Sequence, residues 1–521
     1  MKRPALITIT LVSALAALPL FLSPGFLNTR GGGDSPFLLF RLHQLYTALT
    51  QGVFPVRWMP DAAFGLGYPF FSYYAALPLY IAAIFKLLGA SYVLALKLTH
   101  LSGFIAAAVA MYGWMRSTGT ARLAGWLAAI VYTFAPFHLV NVYVRGDSLN
   151  EFWAFALFPL CLWAAGRLAN EPSLKRGIPL ALAYTALTLT HNISALIFSP
   201  FLALYILLLA LNASRQPTTR PRNHLSTRLS FIIHNSSFII LGLALSAYFW
   251  FPALRESNFG QLAPATSGYF HYANHFRGRD LVQLSPIFNY DVGSPDTTPF
   301  AMGLAQAILT ALSLIVIAFR WIRFRHSSIN TRSGHFSFVL CSFLVSSFMI
   351  TRYSEPLWAH LPLLPFVQFP WRFLSVQSLL SSALIGLAAQ PMADDKRTPH
   401  TQYSLLKPWN AVVVALSIAY SVLSIGGLRP DFVKIADSDV TAERLQTYEY
   451  FTGNIGTTIN YEYLPKWTQP RPYSSEEYIY GPDGVTLKVL SGEAIGKRLS
   501  KHADSQTWSI HVNTESASVA V

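Results

Sequence analysis

Apolar stretches close to 20 residues long recur from the N-terminus to about residue 427. A helix needs about 20 such residues to cross the hydrocarbon core of a bilayer. Inside that core each backbone polar group must find its partner within the protein. Together these facts confine the chain to a bundle of membrane-crossing helices. Composition agrees: 12% of residues are charged and 53% hydrophobic, with a mean hydropathy of +0.38, whereas soluble domains carry about 25% charged residues. Residues 428–521 are polar and hold no stretch of membrane length. The expected fold class is an all-α polytopic membrane protein. A transmembrane domain, 1–427, precedes an extracytoplasmic β-rich tail, 428–521.

Candidate spans are 5–22, 92–115, 121–143, 150–168, 177–191, 193–211, 229–251, 299–319, 335–351, 373–391 and 409–427. The first follows Lys2 and Arg3, and Ser23-Pro24-Gly25-Phe26 lacks the small-residue pattern of a signal cleavage site, so it reads as a retained span. The net charge of +14 comes mainly from short connections: Arg116 and Arg122; Arg167, Lys175 and Arg176; Arg215 to Arg228; Arg320 to Arg332; and Lys396, Arg397 and Lys407. The positive-inside rule places these and the N-terminus in the cytoplasm and removes the need for a nucleic-acid partner. Parity then requires segment 69–88, with Pro69, Pro78 and the run Phe70-Phe71-Ser72-Tyr73-Tyr74, to be a re-entrant or interfacial hairpin. The result is about eleven crossings and an external C-terminus. Cys161 and Cys341 both lie in hydrophobic stretches, which implies no disulfide framework.

The external loops gather the residues with chemical capacity. Asp34 follows three glycines in Gly31-Gly32-Gly33-Asp34-Ser35-Pro36-Phe37. Glycines open backbone conformations closed to other residues, so Asp34 either caps the amphipathic stretch 35–49 or is presented as a catalytic carboxylate. The segment Phe40-Arg41-Leu42-His43-Gln44-Leu45-Tyr46 reads as a helix lying along the surface. In Arg145-Gly146-Asp147-Ser148-Leu149-Asn150-Glu151, Asp147 and Ser148 could cap a helix with Glu151 in its first turn, or Asp147 or Glu151 could face Asp34 across a cavity. His191, in Thr190-His191-Asn192, is either a hydrogen-bonded helix end or a cavity-lining group. Loop 252–298 interleaves Arg255, Glu256, His271, Tyr272, His275, Arg277, Arg279 and Asp280, a mixture suited to sugars and phosphates. Phe369-Pro370-Trp371-Arg372-Phe373 offers Arg372 as a phosphate partner or a snorkelling anchor, with Trp371 in the aromatic belt. No P-loop, dinucleotide fingerprint or His-Glu-x-x-His zinc motif occurs.

The first span, an acidic external loop, a second acidic site one hairpin later and about a dozen membrane segments resemble the GT-C superfamily of membrane glycosyltransferases. Several strings resemble more specifically the multi-spanning bacterial 6-pyruvoyl-tetrahydropterin synthase related membrane proteins. They are Gly33-Asp34-Ser35-Pro36-Phe37, Phe54-Pro55-Val56-Arg57-Trp58-Met59-Pro60-Asp61, Gly65-Leu66-Gly67-Tyr68-Pro69, Arg145-Gly146-Asp147, Thr190-His191-Asn192, Phe369-Pro370-Trp371-Arg372-Phe373, Gly456-Thr457-Thr458 and Glu462-Tyr463-Leu464-Pro465. The resemblance implies a GT-C-like fold in a bacterial plasma membrane and a polyprenyl-phosphate-linked sugar as donor. The acceptor is a glycan, lipid or protein. Metal-dependent GT-C enzymes tend to carry Asp-x-Asp in the first loop, whereas Pro36 stands at the second position here. A divalent metal is therefore not favoured, and no other cofactor is expected.

In this reading Asp34 is the general base, Asp147, Glu151 and His191 complete the catalytic set, and Arg372, Arg145, His43, Arg57, Glu256 and Trp371 bind substrate. A transporter or flippase of lipid-linked glycans, or a non-catalytic scaffold for envelope assembly, is the alternative. The tail segments Val485-Thr486-Leu487-Lys488-Val489-Leu490 and Trp508-Ser509-Ile510-His511-Val512-Asn513 alternate as strands do and read as the first part of an external β-domain.

Overall fold

The computed structural model of the protein describes residues 3–29, 35–213, 224–293, 297–323, 333–390, 402–468, 471–474 and 488–520. Helices dominate. Among the described residues five are long and apolar enough to cross a membrane: Tyr92–Ser117, Arg122–Tyr143, Leu149–Asn170, Asn192–Leu211 and Pro370–Ala388. Phe231–Leu245 and Ala247–Phe259 form a sixth candidate bent by 67°. Shorter apolar helices, Ala5–Phe21, Leu77–Leu87, Leu304–Arg320, Gly334–Ile350 and Val414–Ile425, occupy the expected spans 5–22, 299–319, 335–351 and 409–427 and part of segment 69–88. The expected span 177–191 lies within Leu174–Thr190.

Local chemistry explains the breaks. Arg122–Tyr143 is interrupted at Ala135, which is extended (φ −56°, ψ 130°), because Pro136 supplies no N–H and excludes helical geometry from its predecessor. At the 67° bend Ser246 Oγ donates back to the carbonyls of Gly242 and Leu243, both at 3.0 Å, a competition that bends helices. Segment 69–88 folds as Phe70–Tyr73, an extended Tyr74 and the 11-residue helix Leu77–Leu87. Eleven residues rise about 16 Å, half of what a crossing needs.

Tyr92–Ser117 and Leu149–Asn170 pack closely because Gly113 leaves room for Trp163. A Cβ at Gly113 would lie 2.5 Å from that indole, the small-residue device common between membrane helices. The helix at Pro370–Ala388 is the most enclosed of these five and so forms the centre of the bundle.

A second layer covers one end of the bundle. Phe26–Leu27 pairs antiparallel with Phe432–Val433. Helix Pro36–Thr50 starts after Ser35 and is overlaid by helix Ala442–Thr452, whose Tyr448 packs on Phe37 and Phe40. The expected surface helix is therefore largely buried: Phe37 to Leu42, Gln44, Leu45 and Ala48 are all enclosed. The reason is residues 428–464, which fold down onto loop 35–68. Further on, Ala494–Lys501 pairs with Gln506–Val512, and Lys488–Ser491 with Ser518–Ala520. The first hairpin docks through Ala503 N to Gln51 Oε1 at 2.8 Å and through Lys501 Nζ to the Gly65 carbonyl.

Candidate active site at the helix ends

Three helix termini bring ionisable side chains together. The turn before Leu149–Asn170 carries Arg145 and Asp147, with Glu151 in the first turn of that helix. The start of Pro370–Ala388 carries Arg372. The break between Leu174–Thr190 and Asn192–Ala213 carries His191. Glu151 is only 2% exposed. Its Oε2 accepts a hydrogen bond from Arg145 Nη1 at 2.7 Å, and Arg372 Nε lies 3.2 Å from the same oxygen, an ion pair not aligned as a hydrogen bond. Arg145 Nη1 also donates to Asn141 Oδ1 at 2.6 Å. Arg372 Nη1 donates to the Val367 carbonyl at 2.8 Å and to Gln368 Oε1 at 3.2 Å.

Burying a charge costs several kcal/mol unless it is paired and hydrogen-bonded. One carboxylate shared by two guanidiniums supplies that pairing and leaves the pair with excess positive charge. Aromatic faces add to it: Arg145 lies 5.1 Å from the Trp371 ring centre and Arg372 5.0 Å from that of Phe369. Trp371 is stacked on Phe300 and Phe369, at 4.2 and 4.8 Å, and is buried. It is thus a wall of this cluster, not the interfacial belt residue the sequence suggests. His191 is buried near enough to Glu151 for the two to interact electrostatically, and its Nδ1 pairs with Ser194 Oγ at 2.7 Å.

A second ionic pair lies toward the covering layer. Arg41 Nη2 is 3.4 Å from Asp147 Oδ2, with the arginine side chain 3% and the aspartate 25% exposed. Arg41 also donates to Thr457, from Nε to Oγ1 at 3.0 Å and from Nη2 to the carbonyl at 2.8 Å. Its guanidinium lies over Phe70 (4.5 Å), Tyr74 (5.0 Å) and Phe37 (5.4 Å). Across both layers three guanidiniums face two carboxylates. Arg41 Nη1 and Arg145 Nε are buried with no hydrogen-bond partner among the described residues. Such donors carry a desolvation cost that an added acceptor would relieve.

The turn carrying Thr457 is held through its neighbour Gly456 by Glu449, which is fully buried. Its Oε1 accepts from Ala63 N at 2.9 Å and Gly456 N at 2.7 Å, and its Oε2 from Phe64 N at 2.7 Å. Ala63, Phe64 and Thr457 all have left-handed backbones, with φ of 54°, 60° and 59°, a conformation that costs non-glycine residues about 1–2 kcal/mol each. Burial pushes the Glu449 carboxyl up to about 7, although the three N–H donors favour its charged form. Burial also raises Glu462, with Arg41 opposing that shift, and Glu462 Oε2 is buried without a hydrogen-bond partner among the described residues.

The structure therefore joins Arg145, Asp147, Glu151, His191, Trp371 and Arg372. It does not bring in His43, Arg57 or Glu256. His43 is on another face of its helix, beside Gln44 and Tyr92, where burial lowers its pKa. Arg57 lies in a groove with Tyr74, Tyr80 and Tyr248 and donates to the Tyr248 carbonyl. Glu256 is exposed, and its backbone carbonyl accepts from Tyr73 at 3.0 Å. Asp34 lies outside the described residues. Arg41 and Glu449 were missed by sequence reasoning. Their signal was positional: Arg41 stands one turn from Phe37 and Leu45, and Glu449 one turn from Leu445, each on a buried helix face. Among the described residues no three His, Cys, Asp or Glu side chains are grouped to hold a metal.

A sequence model described as a 6-pyruvoyl-tetrahydropterin synthase related domain, membrane protein, matches residues 71–428. The chain belongs to this family. An uncharacterized protein of Lactococcus lactis subsp. cremoris (strain MG1363) is 23% identical over 258 residues, covering 49% of this chain and 40% of its own length. The chain thus spans well under two thirds of that relative. Among solved structures, the mycobacterial arabinofuranosyltransferase AftD overlaps with a TM-score of 0.49 at 14% identity, covering 82% of this chain and 28% of AftD. ArnT from Cupriavidus metallidurans bound to undecaprenyl phosphate overlaps with a TM-score of 0.42 at 12% identity, covering 84% of this chain and 76% of ArnT.

Proposed function

We propose that this family member is a glycosyltransferase that moves a sugar from a polyprenyl-phosphate carrier to an extracytoplasmic acceptor. The observation that carries this reading is the ionic layer in which Arg145 and Arg372 share Glu151 at the helix ends. Ionisable groups are costly at membrane depth and mark functional sites. An excess of guanidinium charge at a bilayer boundary suits a phosphate whose lipid tail remains in the membrane.

In the proposed reaction Asp34 accepts the proton of an acceptor hydroxyl, whose oxygen attacks the anomeric carbon. The bond from that carbon to the phosphate oxygen breaks, and Arg372 with Arg145 stabilises the charge left on the phosphate. Attack opposite the leaving group inverts the anomeric centre. Glu151 fixes the two guanidiniums, Asp147 orients the acceptor, and His191 plays a secondary part. Asp34 is assigned from sequence. It immediately precedes Ser35 and the helix whose Arg41 meets Asp147.

The proposal includes eleven crossings plus the 69–88 hairpin and a cytoplasmic N-terminus in a bacterial inner membrane. It also includes the tail 428–521 as an extracytoplasmic unit resting on the 1–427 domain. The test is transfer of labelled sugar from a defined polyprenyl-phosphate donor by purified protein. Asp34→Asn and Arg372→Gln are expected to abolish transfer while expressing normally. Transfer at the wild-type rate by Asp34→Asn removes Asp34 from the mechanism.

A further inference from the structure

A second cleft opens on the other side of Arg145. It is lined by Thr29, Ser35, Lys97, His100, Asn141 and Arg145 among Leu20, Phe26, Leu38, Leu96 and other apolar residues. Arg372 does not line it. Lys97 and His100, three residues apart, share one face of helix Tyr92–Ser117. Lys97 Nζ donates to the Ser23 carbonyl at 2.6 Å, and an ammonium has two further N–H donors. His100 bonds Leu96 O through Nδ1 at 2.8 Å, so Nε2 is its second polar atom. Thr29 Oγ1 and Arg145 Nε are buried and without a hydrogen-bond partner among the described residues, in side chains 7% and 6% exposed. No Asp or Glu is among the described lining residues. Leu18 and Leu22 flank the lining residue Leu20 in sequence, and Leu94 stands three residues before Lys97; all three are exposed, at 51%, 72% and 41%.

We propose that this cleft binds the oxyanion head of an anionic amphiphile, with Lys97, Thr29 and the free edge of Arg145 as its donors and its chain lying along Leu18, Leu22 and Leu94. The cations and unpartnered donors provide the selectivity, since each buried donor without an acceptor is an uncompensated cost. The apolar residues beside it favour a lipid-borne head over free phosphate. Arg145 then separates two anion sites, one shared with Arg372 and one shared with Lys97. It follows, on the transferase reading above, that the acceptor is itself an anionic lipid. Its head would sit next to Ser35, the residue after Asp34. The binding does not depend on that reading.

The full chain, purified in a neutral maltoside detergent, is titrated with dodecyl phosphate and followed by native mass spectrometry and calorimetry. Wild type is expected to bind two molecules. Lys97→Met loses one of them, about tenfold in affinity, with Lys97→Arg restoring it; Arg372→Gln loses the other. Thr29→Val, which keeps the side-chain shape, weakens the same site as Lys97→Met and serves if that variant fails to fold. Inorganic phosphate competing as strongly as dodecyl phosphate overturns the lipid source. Equal displacement by a neutral decyl glucoside, or unchanged binding by both Lys97→Met and Thr29→Val, overturns the site. Retention of both molecules by Arg372→Gln counts against the transferase assignment alone.

Discussion

Two fully enclosed glutamates lie in different regions and are held in opposite ways. Glu151, at a helix end in the bundle, meets the side chains of Arg145 and Arg372. Glu449, in the covering layer, meets only backbone N–H groups among the described residues, from Ala63, Phe64 and Gly456. The first arrangement concentrates positive charge around one anion and leaves donors to spare, which suits recruitment of a second anion. The second ties two left-handed turns together with no net cation, which suits holding a loop against its support. Burial alone therefore does not mark a functional carboxylate; the identity of its partners does.

The sharpest way to break this comparison is Glu151→Ala. It leaves two guanidiniums buried without their shared countercharge, a loss of about 3–5 kcal/mol, read as a lowered melting temperature together with lost transfer. Stability unchanged by that substitution would mean that the arginines are not held by Glu151. Glu449→Gln is expected to cost less, about 1–3 kcal/mol, because an amide oxygen can still accept some of the three bonds. Proteolysis should then reach residues 59–68 and 442–464 before the membrane helices. Arg372→Lys keeps the charge but not the planar fork. Melting is expected to change little, while transfer falls by about tenfold or more, a split that a purely structural arginine would not give.

The smallest effect concerns pH. The folded value of Glu449, about 7, lies above its ordinary 4.5. Between those values the folded state binds more protons than the unfolded one, so the contribution of Glu449 is full below about 4.5 and declines as pH rises through about 7. Wild type should lose stability from pH 5 to pH 8 relative to Glu449→Gln, measured by denaturant unfolding in one detergent. Parallel curves would show that the amides hold Glu449 charged throughout.

Much of this was readable along the chain. Apolar length alone announced the bundle, and the sequence strings around Arg145 and Arg372 pointed to residues that do converge. His43, Arg57 and Glu256 look just as suitable in one dimension, being polar and close to the same loops, yet each finds different neighbours. Arg41 was passed over because an arginine in a surface helix is ordinarily solvated. It is buried here because Thr457, some 400 residues later in the chain, and the rings of Phe37, Phe70 and Tyr74 enclose it.

The sequence by itself determined what the solvent demands: which stretches can sit in lipid, and that the chain past 427 cannot. These follow from local composition, because the cost of exposing a backbone or a charge to hydrocarbon is paid residue by residue. Only the tertiary structure decided which charges meet. Arg145 and Arg372 are 227 positions apart in sequence, and they share Glu151 because three helix ends pack at one point. Pairing at that range depends on distances near 3 Å, which no local pattern encodes.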